Sequence, residues 1–257
     1  MKPSFDDARL KLERANKHIS DLDDELRSFL ATNRHHLTID RNSQTGEESL
    51  RLNNIGPVPR RAALVIGDAI HNLRVSLDYC ACQIALASGG SNNYVKFPFR
   101  STAKEVEAAI KGGDMKAAPA SIVELIVNEI RPYKGGNDAL VGLHELDISD
   151  KHILLTPIVS LLGFWGFSAR LEGRIELENC TVVVQQEGAL ISVAGRIPGG
   201  AASEIKDQGR PILSALFGPG QPFQGEPIVQ TLRKLSEAVS GCIDVIDTAY
   251  SGFDDAR

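Results

Sequence analysis

The sequence predicts an α+β fold, mainly a helical bundle with a small antiparallel β-sheet inserted towards the C-terminal side. Three observations carry this. Long stripes of apolar residues at helical spacing stand at both ends, near 4–30 and 227–250. Apolar helical patterns fill the centre. Between 158 and 217 the chain turns to β-branched runs broken by glycine pairs. A sheet this small is unstable alone, so one domain is expected over 1–257, with a helical core in 4–156 and 226–252 and a β-rich segment in 158–217.

The elements follow in order. Residues 4–30 carry Leu12, Ala15, Ile19, Leu22, Leu26 and Phe29 at alternating spacings of three and four, with Ser4 and Asp7 as a capping pair. Fewer than four heptads and an Ala in the series favour a bundle face over a coiled-coil seam. His36 to Asn54 alternates at both ends around a polar, Gly-containing middle and reads as a hairpin. Pro57 and Pro59 close it, and a helix runs from Arg60 to about Ala87. Residues 96–100, KFPFR, are held extended by Pro98. Helices are expected at 102–111, 119–130 and 138–155, the second stopped by Pro132 and the third ending before Pro157. Strand-forming runs lie at 174–177, 181–186 and 189–194, with Gly188 at a hairpin turn. Pro227 opens the last helix, whose apolar face holds Ile228, Leu232, Leu235, Val239, Ile243 and Ile246.

Composition narrows the function. The chain has 257 residues, 24% of them charged, and a net charge of −5, so it carries no global basic footprint for nucleic acid. The four cysteines have neither zinc spacing nor a disulfide framework and read as reduced thiols. The charged N-terminus lacks a signal-peptide run, and the apolar patch at 158–167 is too short to span a bilayer. A soluble, cytoplasmic protein without a membrane partner is expected. Phosphate loops, dinucleotide fingerprints and His-Glu-x-x-His are absent, so no cofactor is assigned.

Chemistry concentrates in two places. Along GDAIHNLRVSLDY, residues 67–79, the side chains of Asp68, His71, Asn72, Arg74 and Asp78 share one polar arc of a helix whose other side is apolar. His71, Arg74 and Asp78 stand at i, i+3 and i+7. A histidine beside a carboxylate suits proton transfer, and the arginine fork suits phosphate or carboxylate. In LHELDISDKH, residues 143–152, His144, Asp147 and Lys151 share a face, and Asp150-Lys151-His152 sets three active groups in succession near a helix end. The plainer reading of each is structural: Arg74 and Asp78 as an ordinary i, i+4 pair, and the last turn as solvated charge. The two segments reinforce each other only if their helices pack together.

Taken in order, GDAIHNLRVSLDY, FPF, IRPY and LHELDISDKHILL resemble the motifs of a widespread group of bacterial and phage proteins, over residues 60–156. The resemblance selects Asp68, His71, Asn72, Arg74, Asp78, Asp150, Lys151 and His152, and implies no activity. Ile153 stands where that pattern often has Arg. A looser likeness is to HEPN-type bundles, many of them metal-independent ribonucleases acting as dimers. Their Arg-to-His spacing of four to six intervening residues is absent here, and only the reversed His71 to Arg74 brings such a pair close.

The leading expectation is a site that binds a phosphate-bearing ligand, RNA or a small phosphorylated molecule, and cleaves it without metal. His71 would be the acid/base, Arg74 and Lys151 the clamps, and Asp68, Asp78 and Asp150 the orienting groups, with His152 beside them and Asn72 a ligand contact. An interaction protein whose polar arc is a buried network is the alternative. A metal bundle built on Asp68 and His71 with Asp150 or His152 is a third. A homodimer through the N-terminal helix is also expected.

Overall fold

The computed structural model describes residues 3–32, 36–41, 44, 48–53, 57–91, 93–155, 157–171, 175–183, 190–193, 204–207 and 210–252. Among these are six α-helices and seven strands: α1 (Asp6–Thr32), β1 (His36–Arg41), β2 (Glu48–Asn53), α2 (Arg60–Ala87), α3 (Ala103–Gly112), α4 (Ala120–Glu124), α5 (Asp138–Asp150), β3 (Pro157–Leu171), β4 (Ile175–Val183), β5 (Leu190–Val193), β6 (Glu204–Asp207), β7 (Arg210–Phe217) and α6 (Ile228–Ser251). The mainly helical α+β class is as expected.

The stripe of α1 is consumed inside the chain. Leu12, Ala15, Ile19, Leu22 and Leu26 are buried against α2 and α6, and the apolar face of α6 enters the same core. The seam expected between two copies is therefore the bundle's own interior. Polar ties fix the packing: Ser76 Oγ donates to the Ala8 carbonyl at 2.6 Å, and Arg9 bridges Asp244 and Asp247 of α6 at 2.6 and 2.9 Å. At the start of α1, Ser4 Oγ accepts from Asp6 N at 3.3 Å and donates to the Asp6 carboxylate, so its partner is Asp6 where Asp7 was expected.

The short helices are set by their caps. Thr102 Oγ1 accepts from Glu105 N, and Asn137 Oδ1 accepts from Leu140 N, each satisfying a first-turn donor. The expected helix at 119–130 is α only to Glu124. Leu125–Ile130 continue as a π-helix, ended by Arg131 in the left-handed region at φ 56°. The expected helix at 138–155 ends at Asp150.

The strands depart from the expected single sheet. β1 and β2 pair antiparallel as the predicted hairpin, but β5 joins them by pairing with β2. β5, the described part of the 189–194 run, thus completes the N-terminal hairpin's sheet, and among the described residues it pairs with β2 and not with β4. Gly188 lies outside the described residues. The second sheet is built on β3, which pairs with β4 along one edge and with β7 and β6 along the other. It reaches the bundle through the buried Ala215 and Phe217 of β7. β3 itself is the strand that the apolar patch at 158–167 forms, with a register shift between Leu161 and Gly163.

Candidate functional site between α2 and α5

α2 and α5 run antiparallel with their polar ridges face to face. Three cross-helix meetings define the register: Gly67 against Asp150, His71 against Asp147, and Arg74 against His144. Steps of three to four residues on one helix match steps of three on the other, as helical geometry requires. The two segments singled out in the sequence thus form one seam.

At its solvent end stands a histidine–aspartate pair. His71 Nδ1 lies 3.3 Å from Asp147 Oδ1; the imidazole side chain is 58% exposed and the carboxylate 6%. Lys151 Nζ donates to the other oxygen, Oδ2, at 2.5 Å. An aspartate only accepts, so Nδ1 carries the proton shared with it and Nε2 is left as the exposed, basic ring atom. Asp150 sits over the backbone of Gly67. A Cβ there would stand 2.9 Å from the Asp150 Cγ and closer still to both its oxygens, which explains a glycine in mid-helix. Burial, with Asp147 and Asp68 nearby, holds the Asp150 carboxyl above the usual aspartate value.

One turn further in, about 5 Å along the axis, lies a buried arginine. Arg74 is 5% exposed; its Nη1 pairs with Asp78 Oδ1, its Nε donates to His144 Nδ1 at 3.3 Å, and its Cζ lies 4.6 Å from the Phe99 ring centre. His144 stacks on the same ring at 4.6 Å and 10°. Accepting at Nδ1 leaves the His144 proton on Nε2. Burial beside the Arg74 charge holds this imidazole below its ordinary value. Asp78 Oδ1 also accepts from Phe97 N at 2.7 Å, tying the FPF segment to α2. Arg100 N donates in turn to the Pro132 carbonyl at 3.3 Å, which joins FPF to the IRPY turn.

A cavity of about 260 Å³ opens beside this cluster, walled by Arg74, His144, Phe97 and Phe99 with Lys96 and Arg100 on its lining. His71 and Lys151 do not line it.

The expected site residues therefore separate. His71, Arg74, Asp78, Asp150 and Lys151 come together on the seam. Asp68 is exposed at its edge, and Asn72 Nδ2 turns back onto the Asp68 carbonyl at 2.7 Å. His152 lies exposed past the end of α5, where its backbone N–H bonds the Ser149 carbonyl and its side chain has no polar partner among the described residues. No group of three His, Cys, Asp or Glu among the described residues is placed to hold a metal ion. Arg74 is braced by Asp78 and His144, which differs from the open clamp expected. Helical spacing alone sets His144 and Asp147 on one face with Lys151, while the denser run of active groups in the sequence is Asp150-Lys151-His152. The antiparallel register was the missing signal, since it aims residues 144 and 147 at residues 74 and 71. The cavity-lining Lys96, Phe99 and Arg100 were also missed, lying in a segment with no periodicity to assign a face.

No family model, curated protein or solved structure matches this chain.

Proposed function

We propose that this protein binds a phosphate-bearing ligand, RNA among the candidates, at the α2/α5 seam and breaks a phosphodiester bond there with His71 as the proton-transfer group. The observation that supports this most is the pairing of an exposed imidazole with a buried carboxylate on a second helix. Asp147 orients the ring and stabilises the imidazolium formed when Nε2 takes the proton of the attacking RNA 2′-hydroxyl, whose oxygen bonds to phosphorus as the 5′-oxygen leaves. The imidazolium then returns the proton to that leaving oxygen, and the aspartate plays the role of one behind a catalytic histidine. Lys151, on the same carboxylate and itself half-exposed, supplies the nearest cation for charge developing on phosphate oxygens. An RNA-degradation assay of wild type against His71→Ala tests it. Degradation by wild type alone is expected; equal degradation, or none by either, contradicts it.

A second reading has its own support. Arg74 is buried and paired with Asp78, and the Asp78 oxygen is divided between Arg74 and the Phe97 N–H. This half of the seam serves as a brace between helices, and a protein acting only through partners would keep it. That reading expects His71→Ala to lower melting temperature without loss of any ligand.

Assembly as a homodimer and a cytoplasmic location remain part of the proposal. With the α1 stripe buried within the chain, a dimer has to use another surface, and light scattering separates 27.8 kDa from twice that mass. No described helix is long and apolar enough to cross a membrane.

A further inference from the structure

The cavity beside Arg74 is lined by both cations and aromatic residues. Its charged lining is Arg74, Lys96, Arg100 and Asp114. Setting Asp78 against Arg74 and Asp114 against one of the others leaves one positive charge, in a chain whose net charge is −5. Lys96 is exposed and has no ion pair among the described residues, and Arg100 uses Nη1 on the Phe99 carbonyl at 2.6 Å. Lys96 and Arg100 stand at the two ends of the 96–100 segment, and both lie on the lining of this cavity.

Of its aromatic residues, Phe97 and Phe99 are buried, Phe99 against Arg74 and His144, and Tyr94 is open, at 96% exposed. A tyrosine that touches almost none of its own protein gains nothing for the fold. It is also held at φ 63°, a left-handed backbone that non-glycine residues seldom adopt and that clusters at ligand sites. His144 adds a neutral ring whose Nε2–H remains to donate. The volume, about 260 Å³, lies below the usual range for drug-sized ligands, which begins near 300 Å³. It is too small for a folded polymer.

Resting on the reading of the seam as a phosphate-ligand site, we propose that this cavity is its recognition subsite and takes a single nucleotide unit: a planar heterocycle stacked on Tyr94 at the mouth, with its phosphate paired to Lys96 and Arg100. Arg74, on the cavity's lining, stands one helical turn from His71 along α2, which sets the cavity and the proton-transfer group on adjacent turns of one helix.

Calorimetric titration of the full chain with the four ribonucleoside monophosphates, adenosine and inorganic phosphate tests this. The monophosphates bind more tightly than either fragment. Tyr94→Ala weakens them at least ~10-fold, the scale of one lost base–aromatic stack, and Tyr94→Phe stays within about two-fold of wild type. The Lys96→Ala, Arg100→Ala pair weakens the monophosphates and leaves adenosine unchanged. Tyr94 is exposed, so its loss does not threaten folding. Monophosphates that bind no better than the fragments, or equally well to Tyr94→Ala, overturn the proposal, as does an RNA oligomer that binds but is not displaced by them. His71→Ala separates the two readings. Tyr94-dependent binding with turnover indifferent to His71 sinks the acid/base reading alone. RNA cleavage that requires His71 without any nucleotide binding sinks the cavity proposal alone.

Discussion

His71 Nδ1 and Asp147 Oδ1 lie 3.3 Å apart across two helices, the ring open to solvent and the carboxylate buried. The asymmetry matters because a buried aspartate cannot turn to water when its partner leaves. Asp147→Asn keeps the shape but removes the charge that holds Lys151 and orients His71. It is expected to cost about 1–3 kcal/mol in urea unfolding and to abolish cleavage activity. A variant with wild-type stability and wild-type activity would show that the pair is incidental.

Arg74 and Asp78 form the seam's buried ion pair, and removing one partner leaves the other desolvated. Arg74→Met is expected to cost about 3 kcal/mol, at the low end for a broken buried pair because the Asp78 side chain is 24% exposed. Adding Asp78→Asn removes the stranded charge and keeps the acceptor for Phe97 N–H, so the double variant should be more stable than Arg74→Met alone. Denaturant midpoints of the three proteins check the order.

Gly67 and Asp150 are coupled by contact. In a helix interior Gly→Ala gains about 0.5–1 kcal/mol, but here the new methyl meets the Asp150 carboxylate. Gly67→Ala should therefore give no gain in wild type and should stabilise in an Asp150→Ala background. Asp150 also ionises against burial and neighbouring carboxylates. A carboxyl with a raised folded value loses stability as pH rises past its unfolded value, so Asp150→Asn should raise the melting temperature near neutral pH.

His144 sets a pH dependence of known sign. Its folded value is held below the unfolded value of about 6.5 by burial and Arg74. Between the two values the unfolded chain binds more protons, so stability is complete above pH ~6.5 and falls as pH drops through and below it. Urea midpoints measured from about pH 7.5 to 5 should decline in wild type, and the decline should be shallower in His144→Phe. Equal slopes would place the proton elsewhere.

Helical periodicity made the bundle legible: Leu12 to Leu26 and Ile228 to Ile246 are core residues at the spacing read from the sequence. Strand pairing was less legible, because alternation marks a strand without naming its neighbour. β5 sits beside β2, more than 130 residues earlier, and nothing local to Leu190–Val193 encodes that. The site was legible as two ridges of the right residue types. Which residues meet depends on helix register, and that is set by bulk: Asp150 fits only where Gly67 has no side chain. The same bulk logic hides Gly142, where a Cβ would stand 2.6 Å from Phe223 Cε2 and seat that ring against α5. The cavity's helical walls, Arg74 of α2 and His144 of α5, lie on those ridges, but its 94–100 wall carries no periodicity to read.

Chemical rescue is the most direct test of His71 as the proton-transfer group. The cleavage rate of a short RNA by His71→Ala is measured with and without added imidazole, on protein whose melting temperature matches wild type. The expected result is loss of activity by at least ~100-fold, the usual contribution of a general acid or base, and partial recovery that rises with imidazole concentration. Cleavage by His71→Ala at the wild-type rate, or a wild-type protein that leaves the RNA intact, would contradict the account.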